Sequence, residues 1–89
     1  MHFPGIDPQA AAYICDKGCV GLGIDTLNPE GGSTRDFPVH HEFLSRDRYI
    51  IENMHLSEEL PPRGALLSVA PLNMQGAPEA PARVWAWLP

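Results

Sequence analysis

Residues 7–25 read "DPQAAAYICDKGCVGLGID", and their reading decides the fold class. Asp7 can accept a hydrogen bond from the unpaired amides of a first helical turn. Pro8 supplies the fixed φ of a first helical residue without adding an orphan N–H. Lys17 falls in the last turn, and Gly18 can take the left-handed conformation that closes helices. Between these ends, Ala10, Ala11, Ile14 and Cys15 share one face, a narrow stripe of small residues suited to close packing. The next segment, "CVGLGID", is short, apolar and glycine-containing, as expected of a buried strand whose backbone is closely approached. A helix followed at once by such a strand indicates an α/β unit.

Outward from this unit the chain alternates loops with short elements. "TLNPEGGSTRD" is loop material, with Asp25 and Thr26 at its mouth, where functional groups are often displayed. "FPVHHEFLS" predicts a short helix after Asp36, with Pro38 in its first turn, Val39 and Phe43 inward, and Leu44 a further candidate for the inner face. "RYIIEN" predicts a strand from Tyr49 to Glu52, and "LSEELPP" a one-turn helix capped by Ser57 and stopped by Pro61. "GALLSVAPLNM" from Gly64 and "ARVWAWLP" from Ala82 read as strands, the second alternating Ala82, Val84, Ala86 and Leu88 against Arg83, Trp85 and Trp87. "QGAPEAP" is too long for a tight hairpin, so these two strands need not be neighbours. The expected architecture is α/β, a small mixed sheet with two or three short helices, in a single domain over residues 1–89.

The bulk numbers limit the function classes. A chain of 89 residues buries about 60 to 65% of its unfolded surface, so its core is thin. Its hydrophobic fraction of 44% and charged fraction of 19% suit a globular protein. Eleven acidic against six basic side chains give a net charge of −5, with no basic run, so neither nucleic acid nor an anionic membrane is an expected partner. The opening "MHFPGIDP" has no basic or long apolar region of a leader, which points to a cytoplasmic protein. Cys15 and Cys19 are too few for a disulfide framework or a four-cysteine zinc site and are expected as buried or half-buried free thiols.

Chemistry concentrates in "FPVHHEFLSRDRYIIEN", residues 37–53. His40 and Glu52 lie on a predicted helix and a predicted strand, and the turn between them permits convergence. Imidazole nitrogen and carboxylate oxygen are the ligand types of catalytic zinc and similar ions, but such sites take three protein ligands. From residue types alone, a solvated helix face and a strand-end glutamate is the stronger reading.

The order of motifs adds to this. "HFPGID", a helix ending in glycine, "GLGIDTLNPE", "DFPVHHEFL", "YIIENMHL" and "LPPRGALLSVAPLNMQGAPEAPARVWA" together resemble the C-terminal half of the cyclase family of metal-dependent hydrolases, which includes kynurenine formamidases and isatin hydrolases. The resemblance covers nearly the whole chain. It implies metal-ligand roles for His40 and Glu52, leaves His41 as a solvated neighbour, and puts Asp25 and Thr26 in the loop beside the site. Where family members have a Ser and an Asp after that loop's start, this chain has Asn28 and Pro29. The implied fold is half of a swivelling β/β/α domain. The implied reaction is hydrolysis of an amide or lactam such as N-formylkynurenine, with Zn or Mn as cofactor.

Enzymes of this family also carry an N-terminal motif of the form His-x-Gly-Thr-His-x-Asp-x-Pro-x-His that supplies most ligands and the catalytic histidine. No such motif occurs in these residues, and His2 and His55 do not replace it by spacing; both read as surface residues. Three readings therefore stand. The chain is the C-terminal part of a cyclase-like hydrolase that works with a complementary N-terminal half, or a non-catalytic domain derived from that family that mediates association, or an α/β domain unrelated to it. Loss of half a sheet would expose edges and apolar faces, with Trp85, Trp87 and Phe43 as candidates for a surface buried in a homo-oligomer; the alternative is that the tryptophans pack inside.

Overall fold

The computed structural model describes residues 3–89, which contain two helices and two small sheets. They group into two compact units, one running to Leu56 and the other Ser57–Pro89. The α/β class expected from the sequence is observed, with the strands divided between two pairs rather than joined in one mixed sheet.

In the first unit, helix α1 spans Pro8–Asp16. Asp7 caps it, accepting from the Gln9 amide at 2.7 Å, and Gly18 follows the C-cap Lys17 at φ +88°. These are the ends read from the sequence, because each depends only on residues adjacent to it. Strand β1, Gly21–Gly23, pairs in parallel with β2, Tyr49–Ile51, in the register Leu22 to Ile50. A parallel pair needs a crossover. Here the crossover carries helix α2, Pro38–Ser45, back from the loop after β1.

The core of this unit is Ala11 and Cys15 from α1 against Val39 and Phe43 from α2, with Ile6, Ile14, Leu22 and Ile50 packed around them. Two spacings explain it: Ala11 and Cys15 are four apart, as are Val39 and Phe43, so each helix presents one row of side chains to the other. Phe43 is fully buried, which removes it from the candidates for an association surface, while Leu44 faces outward at 55% exposure. Ala10 is exposed, and β1 is half-buried to exposed rather than an inner strand. The glycines of β1 do serve close approach. A Cβ on Gly21 would lie 2.3 Å from the Tyr49 ring, and one on Gly23 2.3 Å from the Met54 sulfur. Arg46 ties the helices at their outer edge, reaching Asp16 at 2.8 Å and Glu42 at 2.9 Å. The Asp16 and Glu42 hydrogen bonds hold its guanidinium above its ordinary range. Both cysteines are free thiols; Cys15 is buried as expected, whereas Cys19 is exposed.

In the second unit, β3, Leu66–Pro71, and β4, Ala82–Trp87, form an antiparallel pair with Val69 opposite Val84 and Ser68 opposite Trp85. The two late strands are thus neighbours despite their long connection, which is closed by the Leu72 amide donating to the Pro81 carbonyl at 2.9 Å. The one-turn helix expected at Ser57 is a hydrogen-bonded turn instead, with the Leu60 amide on the Ser57 carbonyl. Pro61 and Pro62 leave no amide donors with which to extend it.

Candidate functional site

Parallel strands put their carboxyl ends at the same edge, and in α/β folds that edge is where ligands gather. Glu52 is the residue after β2, and the loop after β1 runs through Glu30 to α2, which carries His40 in its first turn. These three side chains meet. His40 Nε2 lies 3.0 Å from Glu52 Oε1, while Nδ1 of the same ring lies 2.7 Å from Glu30 Oε1 and 2.9 Å from Oε2. His40 and Glu52 are partly open, with side-chain exposures of 27% and 25%, whereas the Glu30 side chain is fully enclosed at 0%.

Local structure explains how each is held. Helix α2 begins at Phe37, which has left-handed geometry (φ 51°) and no capping side chain. Its ring meets the His40 imidazole edge-on at 5.7 Å. Asn53, directly after Glu52, is also left-handed (φ 55°), and its amide donates to the Thr26 carbonyl at 3.0 Å. Left-handed conformations at non-glycine residues cost about 1 to 3 kcal/mol and persist where surrounding contacts fix them. Two of them flank the His40–Glu52 pair.

The loop that bears Glu30 is fixed from several directions. Asn28 Oδ1 accepts the Glu30 amide at 3.0 Å, Thr26 Oγ1 donates to the Asn28 carbonyl at 2.8 Å, and Thr34 Oγ1 donates to the Glu30 carbonyl at 3.1 Å. From outside, the Ile6 amide donates to the Pro29 carbonyl at 2.6 Å and the Gly32 amide to the Phe3 carbonyl at 3.1 Å. This clamp requires glycine at position 5, where a Cβ would stand 2.1 Å from the Gly31 nitrogen. Asn28 and Pro29 therefore build the loop.

His40 and Glu52, picked from the sequence, are thus in contact. Thr26 joins the site's framework through its backbone and hydroxyl, and Asp25 is exposed at the loop mouth. His41 points to solvent, and His55 is exposed. His2 lies outside the described residues. Glu30 was not anticipated. The available signal was indirect: a helix starting at Phe-Pro has no side chain of its own to cap it and needs an acceptor from elsewhere.

The pair fits two positions of a metal shell. Ligand atoms about 2.0 to 2.2 Å from one ion stand roughly 2.8 to 3.6 Å apart on adjacent positions, from octahedral to tetrahedral angles, and the observed 3.0 Å falls in that range as it does in that of a hydrogen bond. The ring tautomer decides which carboxylate accepts a proton from His40: Nδ1–H would donate to Glu30 and leave Nε2 facing Glu52 as an acceptor, whereas Nε2–H would donate to Glu52. Among the described residues, no group of three or more His, Cys, Asp and Glu side chains is placed to hold a metal ion. No helix among them is long and apolar enough to cross a membrane.

The class is indicated by a solved structure described as a potential metal-dependent hydrolase with cyclase activity. It matches 92% of this chain and 40% of its own at 35% identity, with a TM-score of 0.80. Among curated proteins, the isatin hydrolase of Roseibium aggregatum is 32% identical across 99% of this chain, and the kynurenine formamidase of Polaromonas naphthalenivorans is 28% identical across 91%. The family resemblance read from the motifs is thereby borne out, and the chain is homologous to a C-terminal part of these cyclase-type hydrolases. It spans a little over a third of the length of the curated relatives it matches, 35% and 36% of these two. No protein-family profile matches the chain.

Proposed function

We propose that this chain furnishes part of the active site of a kynurenine formamidase-like or isatin hydrolase-like amide or lactam hydrolase, with His40 and Glu52 as two ligands to a divalent metal, Zn or Mn. The observation that carries this reading is the 3.0 Å approach of His40 Nε2 to Glu52 Oε1 at the carboxyl end of a parallel pair. When bound there, such an ion supplies Lewis acidity, which brings water ionisation near neutral pH and polarises a carbonyl. This chain's residues contribute orientation and charge. Glu52 offers the negative charge, His40 the neutral nitrogen, and the left-handed turns at Phe37 and Asn53 hold both side chains in place. Two ligands make a weak site, so independent catalysis is not expected, and the remaining ligands would come from a complementary N-terminal half.

A second reading, a non-catalytic association domain, draws on the hairpin. Trp85 and Trp87 stand at 56% and 52% exposure, with ring centroids 6.2 Å apart. An apolar pair of this kind suits burial in a homo-oligomer or against the complementary half.

Elemental analysis of the purified protein for Zn and Mn, with formamide and isatin hydrolysis assays, separates the readings. Stoichiometric metal that is lost in Glu52→Ala and His40→Ala supports the metal site and removes the non-catalytic reading. Absence of metal after loading with either ion, together with no turnover when the N-terminal part of a cyclase-type relative is added, removes the hydrolase reading.

A further inference from the structure

The Glu30 carboxylate is the most enclosed charged group among the described residues, and burying a carboxylate costs several kcal/mol unless its oxygens are satisfied. Both oxygens are engaged by one residue. Oε2 accepts the His40 backbone amide at 2.6 Å, and both oxygens lie within 2.9 Å of His40 Nδ1. Part of this is helix capping, because the amide of His40 is one of the unpaired donors at the start of α2 and the helix end favours negative charge. Capping alone requires one oxygen on one amide. Seating the second oxygen on the ring of the same residue fixes that ring's rotation as well as its proton.

We propose that Glu30 is the positioning residue for His40: by accepting the Nδ1 proton it holds the imidazole in the tautomer whose Nε2 lone pair faces Glu52. The inference deepens the metal reading above and rests on it for its purpose, though the tautomer itself does not depend on metal. A carboxylate behind a ligating histidine fixes ring orientation and raises the basicity of the outward nitrogen. Asn28, Thr34 and the Gly5 clamp serve the same end by fixing the backbone from which Glu30 reaches. Without Glu30, the neutral ring is free to place its proton on Nε2, where it would face Glu52 as a donor and close the lone pair to a cation.

The test is the ring proton of His40, read by nitrogen-15 NMR of the metal-free protein above the pH range in which histidines titrate. The wild type is expected to carry the proton on Nδ1, with that proton slow to exchange. Glu30→Gln keeps the size and one acceptor oxygen but can present its amide to Nδ1, and it is expected to move the proton to Nε2. Glu30→Asp, too short to span both partners, is expected to lose the slow exchange. A wild-type ring protonated on Nε2 overturns the proposal, as does an unchanged Nδ1 proton in Glu30→Gln. Should the variants fail to fold, the wild-type spectrum still decides. A parallel titration with Zn²⁺ alone is expected to show about 10- to 100-fold weaker binding in Glu30→Gln. If the wild type carries Nδ1–H yet binds no Zn²⁺ even with the N-terminal part of a cyclase-type relative added, the metal reading falls and the positioning role stands.

Discussion

The two units spend their apolar residues differently. Up to Leu56, Ala11, Cys15, Val39 and Phe43 are almost completely enclosed by two helices and a parallel strand pair. In Ser57–Pro89, a longer and more regular pair of strands encloses nothing to that degree: Leu66 is 69% exposed, and only Val69 and Val84 within the strands reach intermediate burial. Regular hydrogen bonding is therefore not what separates the unit with an enclosed core from the one without. A two-stranded hairpin has two faces and no second layer, and such pairs are marginal until something covers one face. The first unit gains its layer from the crossover helix, and the same crossover delivers His40 to Glu52.

This contrast can be broken by mutation. Phe43→Ala removes the largest enclosed side chain and is expected to cost about 3 to 5 kcal/mol in denaturant unfolding. Trp87→Ala should cost about 0.5 kcal/mol in the same experiment. Equal costs would erase the distinction between a core and an uncovered face. Gly5→Ala comes next, at about 2 to 3 kcal/mol, because the clash is with backbone that has no rotamer to escape into. Gly21→Ala meets a tyrosine ring that can turn aside, so it should cost less than Gly5→Ala; the reverse order would show that the Phe3–Ile6 clamp is dispensable.

Smaller effects sharpen the comparison. Replacing Trp85 and Trp87 together by serine should leave thermal unfolding nearly unchanged while lowering the mass observed by sedimentation. An unchanged mass that is already monomeric in the wild type would remove the association surface. Asp47→Gly is the least, a gain of about 0.5 kcal/mol, since Asp47 holds φ 60° at an exposed turn where glycine is unstrained. Loss of stability there would mean that the carboxylate makes a contact beyond the turn.

What the sequence disclosed follows from how local each determinant is. Helix α1 could be read to the residue because Asp7, Pro8 and Gly18 act within one turn of themselves. His40 and Glu52 could be nominated because the family motifs marked them, where residue types alone favoured a solvated helix face and a strand-end glutamate. Glu30 could not, since "NPEGGSTRD" has no periodicity and its glutamate acquires a role only when the crossover folds over it. Phe43 is read correctly as an inward residue of α2 by helical spacing, and wrongly as a surface candidate by analogy with a missing half. The pairing of β3 with β4 depends on a ten-residue closure that no turn signature announces.

One consequence concerns the order of assembly. The parallel pair requires Leu22 and Ile50 to find each other across the whole crossover, and closing a long flexible loop is slow and entropically unfavourable. Glu30 and His40 are only ten positions apart and lie inside that loop. Their contact divides one large closure into a short one followed by another short one. A clasp that forms before the strands join speeds refolding more than it slows unfolding. Slower refolding of Glu30→Gln with little change in its unfolding rate, read by stopped-flow, is the expected mark of such a clasp.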